Sequence, residues 1–222
     1  MTLGTVPRYD ARRASEVGDR AVVAGGSMAG LLAARVLADH FSEVVVVERD
    51  PFPTGPEPRT GAPQTSHPHA LLEAGRRTLE DLFPGFGESL LSAGGLLIDA
   101  STQVGHYAEG GFLADGESRL PMYCASRPLF EHVVREHVRE EDGVTLRGNS
   151  TVTDFTADGS SVTGVSFRDD GGEVEAVAAD LVVDATGRTS RTPQWLDEHG
   201  YRAPEEDRVA VDVAYSSIRI DR

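Results

Sequence analysis

The chain contains no lysine; all 21 of its basic residues are arginine. That absence removes several chemistries at once. A P-loop nucleotide hydrolase needs a lysine to reach the phosphates. A pyridoxal phosphate enzyme needs one for its Schiff base, and a protein kinase needs one on its third strand. The single cysteine, Cys124, excludes an internal disulfide framework and any multi-cysteine metal or iron–sulfur site. Positive charge is scarce too. There are 36 acidic residues against 21 basic ones, a net charge of −15. Such a balance argues against a nucleic-acid or anionic-membrane partner. Long apolar runs are also missing. The longest uncharged stretch near the N-terminus, residues 21–34, is too short to span a bilayer and carries Gly25, Gly26 and Gly30. Residues 1–20 hold four arginines but no apolar h-region, so they read as a polar extension of a cytoplasmic protein.

What remains is material for a real core: 39% of the 222 residues are hydrophobic, enough for one large domain or two small ones. Residues 21–24 are a short apolar run bounded by glycine and read as a buried strand. Ala29 to His40 reads as a helix, and Val44 to Val47 as a second strand covered on both faces. Together they make a βαβ unit. Five prolines between 51 and 63 mark a loop, and His69 to Phe83 has helical spacing that Pro84-Gly85 stops. Residues 95–125 suggest short strands, and Pro128 suits the first turn of a helix running to about Glu141. Thr151–Phe155, Val162–Phe167 and Glu173–Ala178 alternate with a period of two between glycine turns, which predicts a three-stranded antiparallel meander. Leu181 to Val183 reads as another buried strand, Ser190 to His199 as a short helix, and Val209, Val211, Val213 and Tyr215 as a final strand.

The chemistry concentrates at Gly25-Gly26-Ser27-Met28-Ala29-Gly30, with Glu48 lying 18 residues after Gly30. A dinucleotide site needs a strand, a tight glycine turn, and a helix whose first amides face a pyrophosphate. Gly25 would make the turn. Gly30 would let helix and strand pack closely, and Glu48 would accept hydrogen bonds from a ribose diol. Ser27 stands where the usual pattern has its second glycine. A second signal, Asp184-Ala185-Thr186-Gly187-Arg188-Thr189-Ser190, follows a strand far along the chain.

With the meander between them, these two segments resemble FAD-dependent monooxygenases of the para-hydroxybenzoate hydroxylase type. Residues 59–64, 67–72 and 126–129 resemble further segments of that family. The resemblance runs from about Ala21 to nearly the end of the chain. It implies an α/β fold: a Rossmann-like FAD-binding domain with a parallel sheet and an antiparallel β-meander crossover, plus part of a β-rich substrate domain. The expected division is an extension over 1–20, a discontinuous FAD-binding domain over 21–98 and 126–200, and a partial substrate domain over 99–125 and 201–222. It also implies that Gly25, Gly26, Ser27, Ala29 and Gly30 line the pyrophosphate and that Glu48 holds the adenosine ribose. Arg49 would lie near the adenine. Arg127 would reach the ribityl or pyrophosphate, and Arg59 and Gln64 would approach the flavin from the long loop. Asp184, Thr186 and Gly187 would form a second cofactor-contacting turn. Arg49 and Arg127 also admit a reading as surface arginines, and Asp184 as a cap for the following helix.

The resemblance further implies an oxidoreductase that uses NAD(P)H and O₂ to hydroxylate or epoxidise a small organic substrate. The flavin carries the chemistry there, so no catalytic side chain is nominated. An FAD-linked reductase of the geranylgeranyl type and an inactive FAD-binding fragment or subunit are the alternatives. A further Gly-Asp segment belongs to the family's cofactor site and is not found here. The chain therefore reads as the N-terminal part of a longer flavoprotein, with an apolar surface exposed for a missing half or partner chain. His67 and His69 form a His-x-His pair without an obvious third ligand, so no metal site is expected, and His69 reads as a helix start or a flavin-facing residue. Met122, Tyr123, Cys124 and Trp195 read as packing.

The missing lysine reads first as genomic base composition; together with the net charge of −15 it also fits adaptation to high salt. If salt adaptation holds, screening the self-repulsion raises the thermal midpoint from dilute buffer to about molar KCl. A flat profile in a salt titration followed by circular dichroism overturns that expectation.

Overall fold

The computed structural model describes residues 8–62, 65, 67–117, 119–214 and 216–218. The chain begins with β1 (Gly18–Ala24), α1 (Met28–Ala38) and β2 (Phe41–Val47). After the proline-rich loop come β3 (Pro68–Leu71), α2 (Glu73–Leu82), α3 (Phe86–Ser92), β4 (Leu96–Asp99) and the short α4 (Ala100–Gln103). A small hairpin, β5 (Tyr107–Ala108) and β6 (Gly111–Phe112), precedes β7 (Pro121–Ser126), α5 (Arg127–Arg139) and β8 (Val144–Arg147). The meander is β9 (Ser150–Ala157), β10 (Val162–Asp169) and β11 (Val174–Ala178). Last come β12 (Leu181–Asp184) and α6 (Thr192–Glu198).

The organising layer is a four-stranded sheet in the order β12-β1-β2-β8, parallel throughout. The continuous apolar run of β2 is explained by cover on both faces. Val44 and Val46 face a cluster that includes Leu31 and Ala34 of α1, Phe83 and Phe86 around α2 and α3, and Val134 and Val138 of α5. Val45 and Val47 point the other way, onto Val165 and Phe167 of the meander. Helices therefore cover one face and an antiparallel sheet covers the other. A further three-stranded sheet, β3-β7-β4, sits against α2 and α3 through Tyr123, whose ring lies edge-on to Phe86 at 6.3 Å.

Several expectations change. The helix expected from His69 begins at Glu73, because residues 68–71 pair with β7 in the register Ala70↔Cys124. His69 is thus a strand residue. The helix α3 and the strand β8 are additions that local periodicity did not separate from their surroundings. Residues 18–20, assigned above to the extension, open β1. From residue 8 onward the extension is docked: Arg8 pairs with Asp81, and the Tyr9 hydroxyl donates to Asp39. Burial, reinforced by Asp39, pushes the Tyr9 phenol up to about 12. Strand β12 is an edge strand, with Leu181 39% exposed, and is not enclosed like β1 and β2.

The expected last strand does not form. Residues 201–214 carry no regular structure, and Val209, Val211 and Val213 are 88%, 74% and 71% exposed. Alternation dictates which side chains would share a face, but a strand also needs a neighbour to take its backbone hydrogen bonds. Tyr215, the last residue of that pattern, lies outside the described residues. Among the described residues, Leu96, Phe112 and Leu113 are exposed apolar side chains.

Two substitutions check this arrangement. Phe86→Ala empties a fully buried position and is expected to cost about 3–5 kcal/mol in chemical denaturation. Val211→Ser removes an exposed side chain and should change stability by less than about 0.5 kcal/mol.

Candidate functional site

The β1–α1 turn is built by close backbone approach. Gly25 has φ +104°, a conformation that favours glycine, and an added Cβ would lie 2.6 Å from the Ala185 carbonyl oxygen. A Cβ at Gly30 would fall 1.8 Å from the Gly25 carbonyl oxygen, so only glycine lets α1 start this near β1. Gly26 is buried under Glu48 and Phe52, and Ala29 is exposed in the first turn of α1. Ser27 is the N-cap, and its hydroxyl forms no capping bond. It donates instead to Glu131 Oε2 at 2.7 Å, while Arg127 Nη2 donates to it at 3.2 Å.

Glu48 ends β2 and is buried beside that turn. Its Oε2 accepts from the Gly26 N–H at 2.7 Å, and its Oε1 accepts from the Asp50 N–H at 3.0 Å. Arg59 arrives from the proline-rich loop, with its Nη1 3.2 Å from Glu48 Oε2 and its Nη2 2.7 Å from Glu131 Oε1. Burial works against the Arg59 cation, but the Glu131 and Glu48 carboxylates outweigh it and hold the guanidinium above its ordinary value. Arg59 therefore lies on the crevice wall, engaged with carboxylates. Arg49 is half-exposed on the crevice wall. Gln64 lies outside the described residues.

The second turn meets the first because β12 pairs with β1 in the register Ala24↔Asp184, and the Ala185 N–H donates to the Ala24 carbonyl at 2.8 Å. Asp184 organises this turn. Its Oδ1 accepts from the Thr186 N–H at 2.9 Å and the Thr186 hydroxyl at 2.5 Å. Its Oδ2 accepts from the hydroxyls of Ser190 and Thr192. Burial pushes this carboxyl up, but the hydroxyl and amide donors prevail and hold it below its usual range. Gly187 follows with φ +79° and open space where a Cβ would stand.

One cavity of about 420 Å³ joins these pieces, a size within the usual range for small-molecule sites. Gly25, Ser27, Glu48, Arg49, Arg59, Asp184 and Thr186 line it. So do Thr151 to Phe155 of β9 and Arg191, Gln194, Trp195 and Glu198 around α6. The β9 residues, Arg191, Gln194, Glu198 and Glu131 were not singled out in the sequence, and Trp195 only as packing. Glu131 carries a readable signal, since it lies one helical turn beyond Arg127. Trp195 packs as expected, stacked 4.1 Å from His199, yet its buried Nε1 has no hydrogen-bond partner among the described residues. Arg127 Nε is likewise buried without one. Among the described residues no group of three or more His, Cys, Asp or Glu side chains could hold a metal. Burial pushes the Cys124 thiol up, away from nucleophile chemistry. Among the described residues no helix is long and apolar enough to cross a membrane.

Comparison with known proteins bears on what this crevice holds. Among curated proteins, Protein Rv3254 of Mycobacterium tuberculosis (strain ATCC 25618 / H37Rv) is 38% identical over 209 residues, covering 90% of this chain and 44% of that protein. Kynurenine 3-monooxygenase of Salinispora arenicola (strain CNS-205) is 31% identical over 204 residues, covering 83% of this chain and 39% of that protein. The chain thus spans less than half the length of these relatives. The p-nitrophenol 4-monooxygenase PnpA from Pseudomonas putida DLL-E4 shares the fold, with a TM-score of 0.62 at 20% identity over 82% of this chain and 44% of that one. A family model described as FAD dependent oxidoreductase matches residues 21–190, and with the glycine turn, Glu48 and the Asp184 turn gathered on one crevice, this chain belongs to the FAD-dependent oxidoreductase family.

Proposed function

We propose that the crevice binds the ADP half of FAD, and that the protein is a monooxygenase acting on a small organic molecule with NAD(P)H and O₂. The observation that carries this reading is the β1–β12 pairing, which sets the Asp184 turn against the Gly25 turn within reach of Glu48. The residues fit the cofactor. Arg127, which reaches Ser27 at the glycine turn, keeps a buried Nε with no hydrogen-bond partner among the described residues, and Gly187 leaves open space where a side chain would stand. A dianionic pyrophosphate supplies an acceptor for such a donor.

In this reading Gly25, Ser27, Ala29 and Gly30 line the pyrophosphate, and the first-turn amides of α1 face it. Each Glu48 oxygen already takes a backbone N–H, which fixes the carboxylate plane. A carboxylate oxygen has a second lone pair, and Glu48 Oε1 offers it to a ribose hydroxyl. Arg49 flanks the adenine, and Arg127 turns toward the pyrophosphate or ribityl. Asp184 shapes the Thr186-Gly187 turn by gathering its donors. Bound FAD would supply electron transfer and oxygen activation, so these residues bind, orient and exclude water.

The reading takes residues 21–98 and 126–200 as the cofactor domain and 99–125 and 201–222 as part of a substrate domain. The exposed apolar residues around Leu96, Phe112 and Leu113 suit contact with further protein. NAD(P)H supply suits the cytoplasm. The kynurenine 3-monooxygenase and p-nitrophenol 4-monooxygenase relatives support oxygen insertion over a purely reductive role.

Titrating the purified chain with FAD is expected to give a bound-flavin absorbance band and quenched flavin fluorescence. Gly30→Val should abolish both, since its Cβ collides with backbone. A wild-type chain that leaves FAD unchanged overturns the assignment. Acidity gives a second check. Asp184 is held below its usual range, so its contribution is present above the unfolded carboxyl pKa of about 3.9 and is lost as pH falls through the lower folded value. Wild type should therefore be more stable than Asp184→Asn at neutral pH, with the gap narrowing below about pH 4 in denaturation curves.

A further inference from the structure

We propose that Glu131 is a positioning residue for the cofactor, acting through Ser27: it draws the serine hydroxyl off the start of α1, so that the first-turn amides stay open to a pyrophosphate. This rests on the reading of the crevice as an FAD site and names a determinant of affinity within it.

A serine at a helix N-cap ordinarily turns its oxygen onto the N2 or N3 amide, because those N–H groups have no partner inside the helix. Ser27 holds that position and makes no such bond. Its backbone carbonyl accepts the first intrahelical bond, from Leu31 N–H at 2.9 Å. Among the described residues nothing accepts from the N–H groups of Met28, Ala29 or Gly30. The hydroxyl hydrogen goes to Glu131 at 2.7 Å, and Arg127 at 3.2 Å takes up its oxygen. Glu131 is itself anchored. It is 4% exposed, and Arg59 Nη2 holds its other oxygen at 2.7 Å. A glycine at position 27 would leave the amides open without help. A serine there needs a tether, and the residue one turn beyond Arg127 provides it. Without Glu131 the hydroxyl would be free to cap α1, and an incoming phosphate would have to displace it.

The test is a double-mutant cycle on FAD affinity, read by flavin fluorescence quenching, with the thermal midpoint of each apo chain as a fold monitor. In the Ser27 chain, Glu131→Gln should weaken FAD binding by at least about fivefold, the order expected for displacing one capping bond. In a Ser27→Gly background the same change should cost less than about twofold, with every apo chain still unfolding in one cooperative transition. Glu131→Asp keeps a carboxylate for Arg59 but falls short of Ser27. It should follow the same pattern, and it carries the test if the Gln variant fails to fold. A loss of equal size in both backgrounds would assign the effect to the Arg59 pair and overturn the proposal, as would unchanged affinity in the Ser27 chain. A wild-type chain that does not bind FAD overturns the underlying reading, and this proposal with it.

Discussion

Strand β1 is hydrogen-bonded along both edges, to β2 on one side and β12 on the other, and the crevice exists because of that double pairing. The β2 edge delivers Glu48 to the glycine turn. The β12 edge delivers Asp184, near the other end of the chain, to the same place. The glycine turn is left no room for side chains: the space beside Gly25 is filled by Ala185 backbone, and that beside Gly30 by Gly25 backbone. A parallel sheet puts the C-terminal ends of its strands at one edge, and ligand sites in open α/β sheets form there for that reason.

A second constraint is electrostatic. On α5, Arg127, Glu131 and Arg135 follow one another at four-residue spacing and share a helix face. Arg127 and Glu131 meet Ser27, Glu131 meets Arg59, and Arg135 Nη2 donates to the Gly55 carbonyl at 3.0 Å. One helix thus stitches the glycine turn to the proline-rich loop. Glu131 is buried between cations, so removing one partner strands a charge away from water, a larger penalty than the pair's own net worth. The stripe ties loop order to turn geometry.

Much of this architecture was legible in the residues. The βαβ unit, the meander and α5 follow from periodicity, because each buries one face against a large neighbour and the apolar spacing records it. The glycines at 25 and 30 and the acid at 48 were legible because each answers a local requirement of turn, packing or strand end. Strand β3 was not legible: four residues of mixed polarity become a strand only because β7 accepts their hydrogen bonds. The same logic fails in reverse at Val209 to Val213, where alternation is present but no neighbouring strand is paired with it.

By itself the sequence determined the α/β class, the dinucleotide-type turn and the family resemblance, since these depend on residue types at fixed short spacing. Only the tertiary structure decided that Asp184 faces Ala24, that Arg59 lies between Glu48 and Glu131, and that the Ser27 hydroxyl leaves its helix for α5. Those are contacts between residues far apart in the chain. A side chain's choice among several possible partners is set by which groups the fold brings within about 3 Å, a distance no local pattern encodes.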